Sequence, residues 1–387
     1  MVVRLAATTP VFDDALARIL IAIELSKKSW IVGVQTPLKA KMSQFRLDAG
    51  DGEGLLKLIE RLRQQVERDL GRPVEVITCY EAGYDGFWLH RRLEEHGVCN
   101  YVLDPASLLV TRRAKRAKTD RIDVERILRA LGRYLRGEAD ACSVVQVPDV
   151  EQEDARRLHR ERKRLVQERV QHVNRIKALC ALHGIYDYQP LRADRQAQLE
   201  GLQTGDGRPL PARLKAEIMR ELQRLELVLT MIAEIEAERD AIVNEVAPQH
   251  PCADKIKALA ELRSIGPEFA TKLVGEVFYR SFDNRRQLGS FAGMAPSPYS
   301  SGSMERDQGI SKTGSPMVRT TMIELAWLWL RYQPGSALSI WFRERVGDRK
   351  GRVRRIAIVA MARKLLVALW RYLETGVVPT GAGFKPS

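Results

Sequence analysis

The chain has 387 residues, enough for two or three domains with separate cores, and 63 Lys and Arg against 49 Asp and Glu leave a net charge of +14. A positive field of that size favours polyanionic partners, a solubilising surface being the other reading of the same charge. Five scattered cysteines, odd in number and without a Cys-x-x-Cys pair, argue against a disulfide framework or a zinc site and fit a reducing cytoplasm.

Residues 1–18 read as an irregular extension. The apolar run Ile19–Ile23 is too short for a secretory signal, and β-type runs are expected at Arg18–Leu25, Trp30–Gln35 and about Ser43–Leu47. A helix over Gly54–Leu70, a strand over Val74–Tyr80, a helix around Phe87–Glu95 and a strand over Tyr101–Leu103 follow. A basic loop then leads into a helix over Asp120–Leu135, so residues 19–145 read as an α/β domain in the order β-β-β-α-β-α-β-α.

From 146 to 250 the texture is charged and periodic. Glu151–Leu182 keeps Leu165, Val173 and Ile176 on one side, and a stretch with Gly and Pro (201–211) precedes a second helix carrying Leu222, Leu225, Leu229 and Ile232. Two long amphipathic helices joined by a loop read either as a coiled coil, antiparallel or intermolecular, or as ordinary bundle helices. Residues 251–375 form a third region. It holds a Gly-Pro turn at Ile265–Pro267 resembling a helix-hairpin-helix, a Gly/Ser/Pro-rich loop over Gly293–Gly314, and apolar helices at about Pro316–Tyr332 and Gly351–Leu373. Charges at Arg363 and Lys364 interrupt the apolar stretch Ile356–Leu369, which argues against a membrane span. The tail, through 376–387, reads as disordered.

Four acids stand out against this layout. Glu24 and Glu81 end two of the apolar runs, and Asp120 and Asp123 lie three apart at the start of a helix. Carboxylates at neighbouring strand ends, faced by an i,i+3 pair on a helix, can hold Mg²⁺ ions over a phosphodiester. A ribonuclease-H-like nuclease places its metal ligands in this way.

The segments Ile23-Glu-Leu-Ser-Lys27, Tyr80-Glu-Ala-Gly83, Lys118-Thr-Asp-Arg-Ile-Asp123, Phe291-Ala-Gly-Met-Ala-Pro296, Ser301-Gly302 and Gly309-Ile-Ser-Lys-Thr-Gly314 occur in that order. In this the chain resembles the IS110 insertion-sequence transposases, relatives of the pilin-gene invertase, over nearly its whole length. The resemblance implies a RuvC-like (RNase H-like) N-terminal domain with a DEDD acid set, an α-helical coiled-coil middle and a mostly α C-terminal transposase domain with a serine nucleophile. Carried over, the acids are Glu24, Glu81, Asp120 and Asp123 and the serine is Ser301, with Ser300 and Ser303 as neighbouring alternatives. The family's first acid is Asp, and Glu24 departs from it by one methylene. The resemblance further implies DNA of the element and its target as substrate, Mg²⁺ or Mn²⁺ as cofactor, a structured guide RNA, and a cytoplasmic homo-oligomer, a dimer or tetramer, in which acids and serine meet between subunits.

Serine needs activation by a base or a metal, and the six histidines all lie upstream of Ser301, so the carboxylate cluster is the expected activator. Phosphate binding is the expected use of Arg112, Arg113, Lys115, Arg116 and Lys118 before Asp120, and of Lys312, Arg319, Lys350 and Arg352 after the serine. Trp88, Trp327, Trp329 and Trp341 read as packing residues. Two alternatives remain at this stage: a junction nuclease in which water attacks, and a non-catalytic nucleic-acid-binding relic.

Overall fold

The computed structural model describes residues 17–108, 120–138, 141–244, 252–301 and 304–386. The expected extension and the basic group Arg112, Arg113, Lys115, Arg116 and Lys118 lie outside them. The chain divides into two compact units, 1–147 and 148–387. No helix among the described residues is long and apolar enough to cross a membrane.

The first unit is built on a five-stranded mixed sheet. Strands β1 (Ala17–Glu24), β2 (Ser29–Thr36) and β3 (Lys39–Asp48) form an antiparallel meander. Helix α1 (Gly52–Leu70) then carries the chain back to β4 (Val74–Glu81), which pairs parallel with β1. Helix α2 (Trp88–Glu95) leads to β5 (Cys99–Leu103), parallel to β4, which gives the order β3-β2-β1-β4-β5. Parallel neighbours need a crossover helix, and the two amphipathic segments between β3 and β5 supply them. Ser143 and Val145 then return beside β5, bonding Asp104 and Val102.

Alternation along the strands sorts the side chains into two layers. Ile19, Ile21, Ile23 and Tyr80 pack with Leu55, Ile59 and Leu93 on one face; Trp30 is fully buried there. Ala22, Ile77 and Cys79 pack on the other face against α3 (Asp120–Leu135), through Val124, Ile127 and Leu131. Gly33 on β2 permits this close approach, because a Cβ there would overlap Val124 and Met42.

In the second unit, a short helix α4 (Val150–Asp154), closed by an Asp149–Gln152 capping box, precedes α5 (Arg157–Ala181). After α6 (Arg195–Glu200) comes α7 (Ala212–Asn244). Arg162 meets Glu236, His172 meets Glu221 and Arg175 meets Glu217, so α5 and α7 run antiparallel within one chain. Their seam is apolar, with Ile176, Leu179, Ile218, Leu222 and Leu225 at one end and Leu165, Val228 and Ile232 at the other.

A separate core gathers α8 (Ala253–Glu261), α9 (Pro267–Leu273), α10 (Arg285–Phe291), α11 (Pro316–Tyr332), α12 (Ala337–Val346) and α13 (Arg352–Thr375). Trp329 is fully buried in it and donates Nε1–H to Ser336, 2.8 Å away. A π-helical turn, Val274–Phe278, extends α9 and carries Glu276. His159 Nε2 lies 2.7 Å from that carboxylate, and Arg160 donates two hydrogen bonds to it. Burial alone would push the Glu276 carboxyl up; the bonds from His159 and Arg160 outweigh it and hold the pKa at about 2.

Three expectations change here. The segment read as a Gly/Ser/Pro-rich loop contains an antiparallel hairpin of β6 (Pro296–Ser301) and β7 (Met304–Ile310), with an irregularity at Pro296/Pro298. A two-stranded hairpin has only edges, where proline's missing N–H is tolerated. Helix α12 is an addition to the expected elements. The tail is not a loose end: the Arg263 and Lys385 amides bond Gly383 and Glu261 carbonyls, and Gly383 N–H donates to Gln333 Oε1.

Candidate functional site

The two parallel strands β1 and β4 are in register at Ile23 and Tyr80, so Glu24 and Glu81, the next residues, end their strands side by side at a spacing of about 4.8 Å. Alternation puts both on the face of Ala22 and Cys79, the face that α3 covers. Asp123, 8% exposed, lies in the first turn of α3, and Asp120 begins the helix, exposed. The positive end of a helix dipole favours acids at both positions.

The sequence reading missed Arg126, one turn further along α3. Its Nη2 lies 3.0 Å from Glu81 Oε2 and 3.4 Å from Asp123 Oδ1, while its Nε is buried with no partner among the described residues. A residue at i+3 from Asp123 faces the same side of the helix, the one sequence signal that could have pointed to it. Two carboxylates are thus drawn to one cation supplied by the protein itself. The donors are all oxygens, the ligand type that hard divalent ions take. With the guanidinium between them, no three carboxylate, imidazole or thiol groups among the described residues stand close enough to hold a metal ion. The structure therefore brings Glu24, Glu81 and Asp123 to one end of the sheet and leaves Asp120 at its rim.

In the second unit Ser301 is the last residue of β6, its backbone opposite Met304, and Ser300 pairs with Glu305. Gly302 and Ser303 lie outside the described residues. The base of this hairpin is tightly built. Gly293 and Gly314 approach backbone to backbone so closely that a Cβ on Gly314 would overlap Gly293 N and Phe291 O. Lys312 adopts a left-handed φ of 59°, unusual outside glycine, with its N–H on the Gly293 carbonyl. Arg319 is half-buried and lies against Gly293, with Nη1 buried and unpartnered among the described residues.

Beside the hairpin lies a cavity of about 990 Å³, lined by α10, α12, α13, the end of β7 and residues 377–380. Lys312 and Arg352 line it, as does Arg345; Lys350 is exposed nearby in sequence but does not. Of the tryptophans, Trp329 is core as expected, and Trp88 is part-exposed beside Trp30 at 5.8 Å.

A fold with acids at adjacent strand ends and a basic helical unit defines a class of enzymes acting on nucleic acid, and the relatives narrow it to transposases. The DEDD-type IS110 transposase model matches residues 21–186, the span containing all four acids, and the model of the transposase IS116/IS110/IS902 family matches 256–339, the span containing Ser301. A Sinorhizobium fredii protein named "Putative transposase y4rJ" is 49% identical over 96% of this chain and 95% of its own length. The transposase for insertion sequence element IS1111A of Coxiella burnetii is 29% identical over 67% of each chain, and that for IS1328 of Yersinia enterocolitica 26% over 87% of this chain and 95% of its own. The chain belongs to the IS116/IS110/IS902 family of insertion-sequence transposases. It is an enzyme that binds, cuts and joins DNA, with a DEDD domain of the kind that uses divalent metal.

Proposed function

We propose that the first unit is an RNase H-like, RuvC-type domain and that the protein transposes its element through a serine nucleophile with help from the acid cluster. The observation that carries this reading is the convergence of Glu24, Glu81 and Asp123 at one end of a sheet of order β3-β2-β1-β4-β5, under the helix that starts at Asp120.

Glu24, Glu81, Asp120 and Asp123 would hold Mg²⁺, or Mn²⁺, once Arg126 gives way. When bound, the ion lowers the pKa of a coordinated hydroxyl and neutralises phosphate charge. Ser301 Oγ attacks phosphorus, forming a phosphoserine ester. The bond from phosphorus to a deoxyribose oxygen breaks, that oxygen leaves as a hydroxyl with a proton taken from water, and the serine proton passes to water, so the proton balance closes. The ester conserves the bond, so a second deoxyribose hydroxyl can reverse the step without ATP. Glu24 reaches one methylene further than aspartate would, from a strand end that is still paired with Ile31 of β2. The oligomer, the coiled-coil role of α5 and α7 and a structured RNA as target reader belong to this reading on the family resemblance alone.

A covalent-trapping gel tests it, with protein, Mg²⁺, RNA from the element's flank and labelled junction DNA. Wild type should give a denaturant-resistant protein–DNA adduct, absent from Ser301→Ala and from Asp120→Ala. Cleavage without an adduct that survives Ser301→Ala would sink the serine and leave water as the attacking group.

A further inference from the structure

The cavity beside the hairpin plays no part in the chemistry above. Among the described residues, nine that line it are Arg or Lys and none is Asp or Glu, in a chain whose overall ratio is 63 to 49. Elsewhere in this unit the guanidiniums of Arg160, Arg162 and Arg195 are paired with glutamates. No described carboxylate forms a salt bridge with any of the nine. Lys364 and Arg345 lie over the Trp341 ring at 4.9 and 5.8 Å, which fixes their heads without neutralising them.

The cations come from separate elements: Arg285 and Arg286 on α10, Arg345 on α12, Arg355, Arg363 and Arg371 on α13, and Lys312 beyond β7. The buried face of α13 is spent on Ile358, Met361, Leu365 and Leu369, so its opposite face is free to carry charge. Between the cations the floor is apolar and partly open, Ile356 being 54% and Val377 66% exposed. Fixed positive charge over an apolar floor suits a ligand with regularly spaced anions and a less polar body.

We propose that this cavity seats the phosphodiester backbone of a single DNA strand running to the serine hairpin. Its size, at the top of the roughly 300–1,000 Å³ range of small-ligand sites, admits a few nucleotides and not a duplex. Among the described residues no aromatic side chain lines it, so none of these stacks bases and binding through the cations is independent of sequence. Among the described residues no side-chain amide or carboxylate lines it to hold a 2′-hydroxyl, so none of these selects ribose. Gly309, Ile310 and the strained Lys312 form its wall at the hairpin, which puts the strand's path at the end of β7. The choice of DNA rests on the serine reading; the strand-binding cavity does not.

The test is fluorescence anisotropy on the full chain with labelled oligothymidylate of about 16 nucleotides, in the upper range of single-strand site sizes, across a salt series. The triple variant Arg355→Gln, Arg363→Gln, Arg371→Gln should bind at least tenfold more weakly. Its salt slope should be shallower by about two, at about 0.7 for each phosphate no longer neutralised. The variant Lys163→Gln, Lys177→Gln, Arg220→Gln, which removes the same charge from exposed positions on α5 and α7, should bind as wild type does. Arg285→Gln, Arg286→Gln, Arg345→Gln, drawn from α10 and α12, reproduces the weakening if the first triple melts early. Equal weakening in cavity and control variants, or none in either cavity triple, overturns the proposal. Tighter binding of matched oligouridylate, with only that binding abolished in the cavity triples, gives the cavity to RNA and overturns the assignment to DNA. Ser301→Ala should keep wild-type affinity, so failure of the serine reading leaves this result standing.

Discussion

Arg126 is the residue on which the acid cluster turns. Its guanidinium lies within 3.4 Å of both Glu81 and Asp123, so removing it leaves two carboxylates facing one another. Arg126→Gln should lower the unfolding free energy in chelator-containing buffer by about 1 kcal/mol, a small effect because the pair is part-exposed, and added Mg²⁺ should restore it. Denaturant titrations with and without Mg²⁺ read this directly; indifference to the ion in both proteins would count against the acid cluster as its site. Glu276 sets a different dependence. Its folded pKa of about 2 lies below the ordinary 4.5, so its stabilisation is complete above pH 4.5 and disappears as pH falls toward 2. The shift corresponds to about 3 kcal/mol, at 1.36 kcal/mol per unit. Glu276→Gln should be less stable than wild type at pH 7 and should lose less between pH 4.5 and 3, as followed by denaturant midpoints.

At the scale of elements, the seating of α3 matters most for the site. Gly33→Val would drive a side chain into Val124, and overpacking of this kind costs roughly 1–3 kcal/mol. The expected outcome is a lower melting temperature together with loss of trapped adduct, because α3 carries Asp120, Asp123 and Arg126. Leu222→Ala on α7, fully buried in the seam with α5, should cost about 2–5 kcal/mol. The elements also show what is legible in the sequence. Helix α3 ends where its periodicity places it, at Leu135, because Val124, Ile127 and Leu131 repeat at three and four. Strand ends at Glu24 and Glu81 are legible because an apolar run stops at a charge. The β6–β7 hairpin is not, since Pro296-Ser-Pro-Tyr-Ser-Ser301 has neither alternation nor strand propensity, and its pairing comes from the tight Gly293–Gly314 base. Helix α12 hides behind Pro334-Gly335 and a mixed Ser-Ala-Leu-Ser pattern that only the Ser336 cap and Phe342 anchor resolve. The pairing of Arg126 depends on two strands and a helix at once, and no local pattern records it.

On the scale of the molecule, each unit has its own core, and the basic cavity belongs to the second alone. Its cations are scattered from Arg285 to Arg371, so no single run of the sequence announces the set; Lys312 follows the serine loop, and Arg352 and Arg355 fall in the basic stretch 349–355. The tail escapes a sequence reading for a related reason. Its glycines and prolines carry no periodicity, yet Thr380, Gly383 and Lys385 bond Ala337, Arg263, Gln333 and Glu261, segments remote in sequence. Deleting 377–386 should therefore lower both the melting temperature and the affinity for oligothymidylate, by removing a wall of the cavity along with its bonds; anisotropy and thermal melting of the same sample check both.

The tail also has a mechanical consequence. Its last bonds, at Lys385, Gly383 and Thr380, follow one another along a strap that turns at 379–382, with the Leu262–Phe384 bridge among them. A pull applied near Pro386 loads them one after another, as in peeling, whereas α13 is clamped along its length by Ile358, Met361, Leu365 and Leu369. The strap yields at low force while the helical core still holds. Tension at this end of the chain would open the cavity from the side without unfolding the unit that contains it.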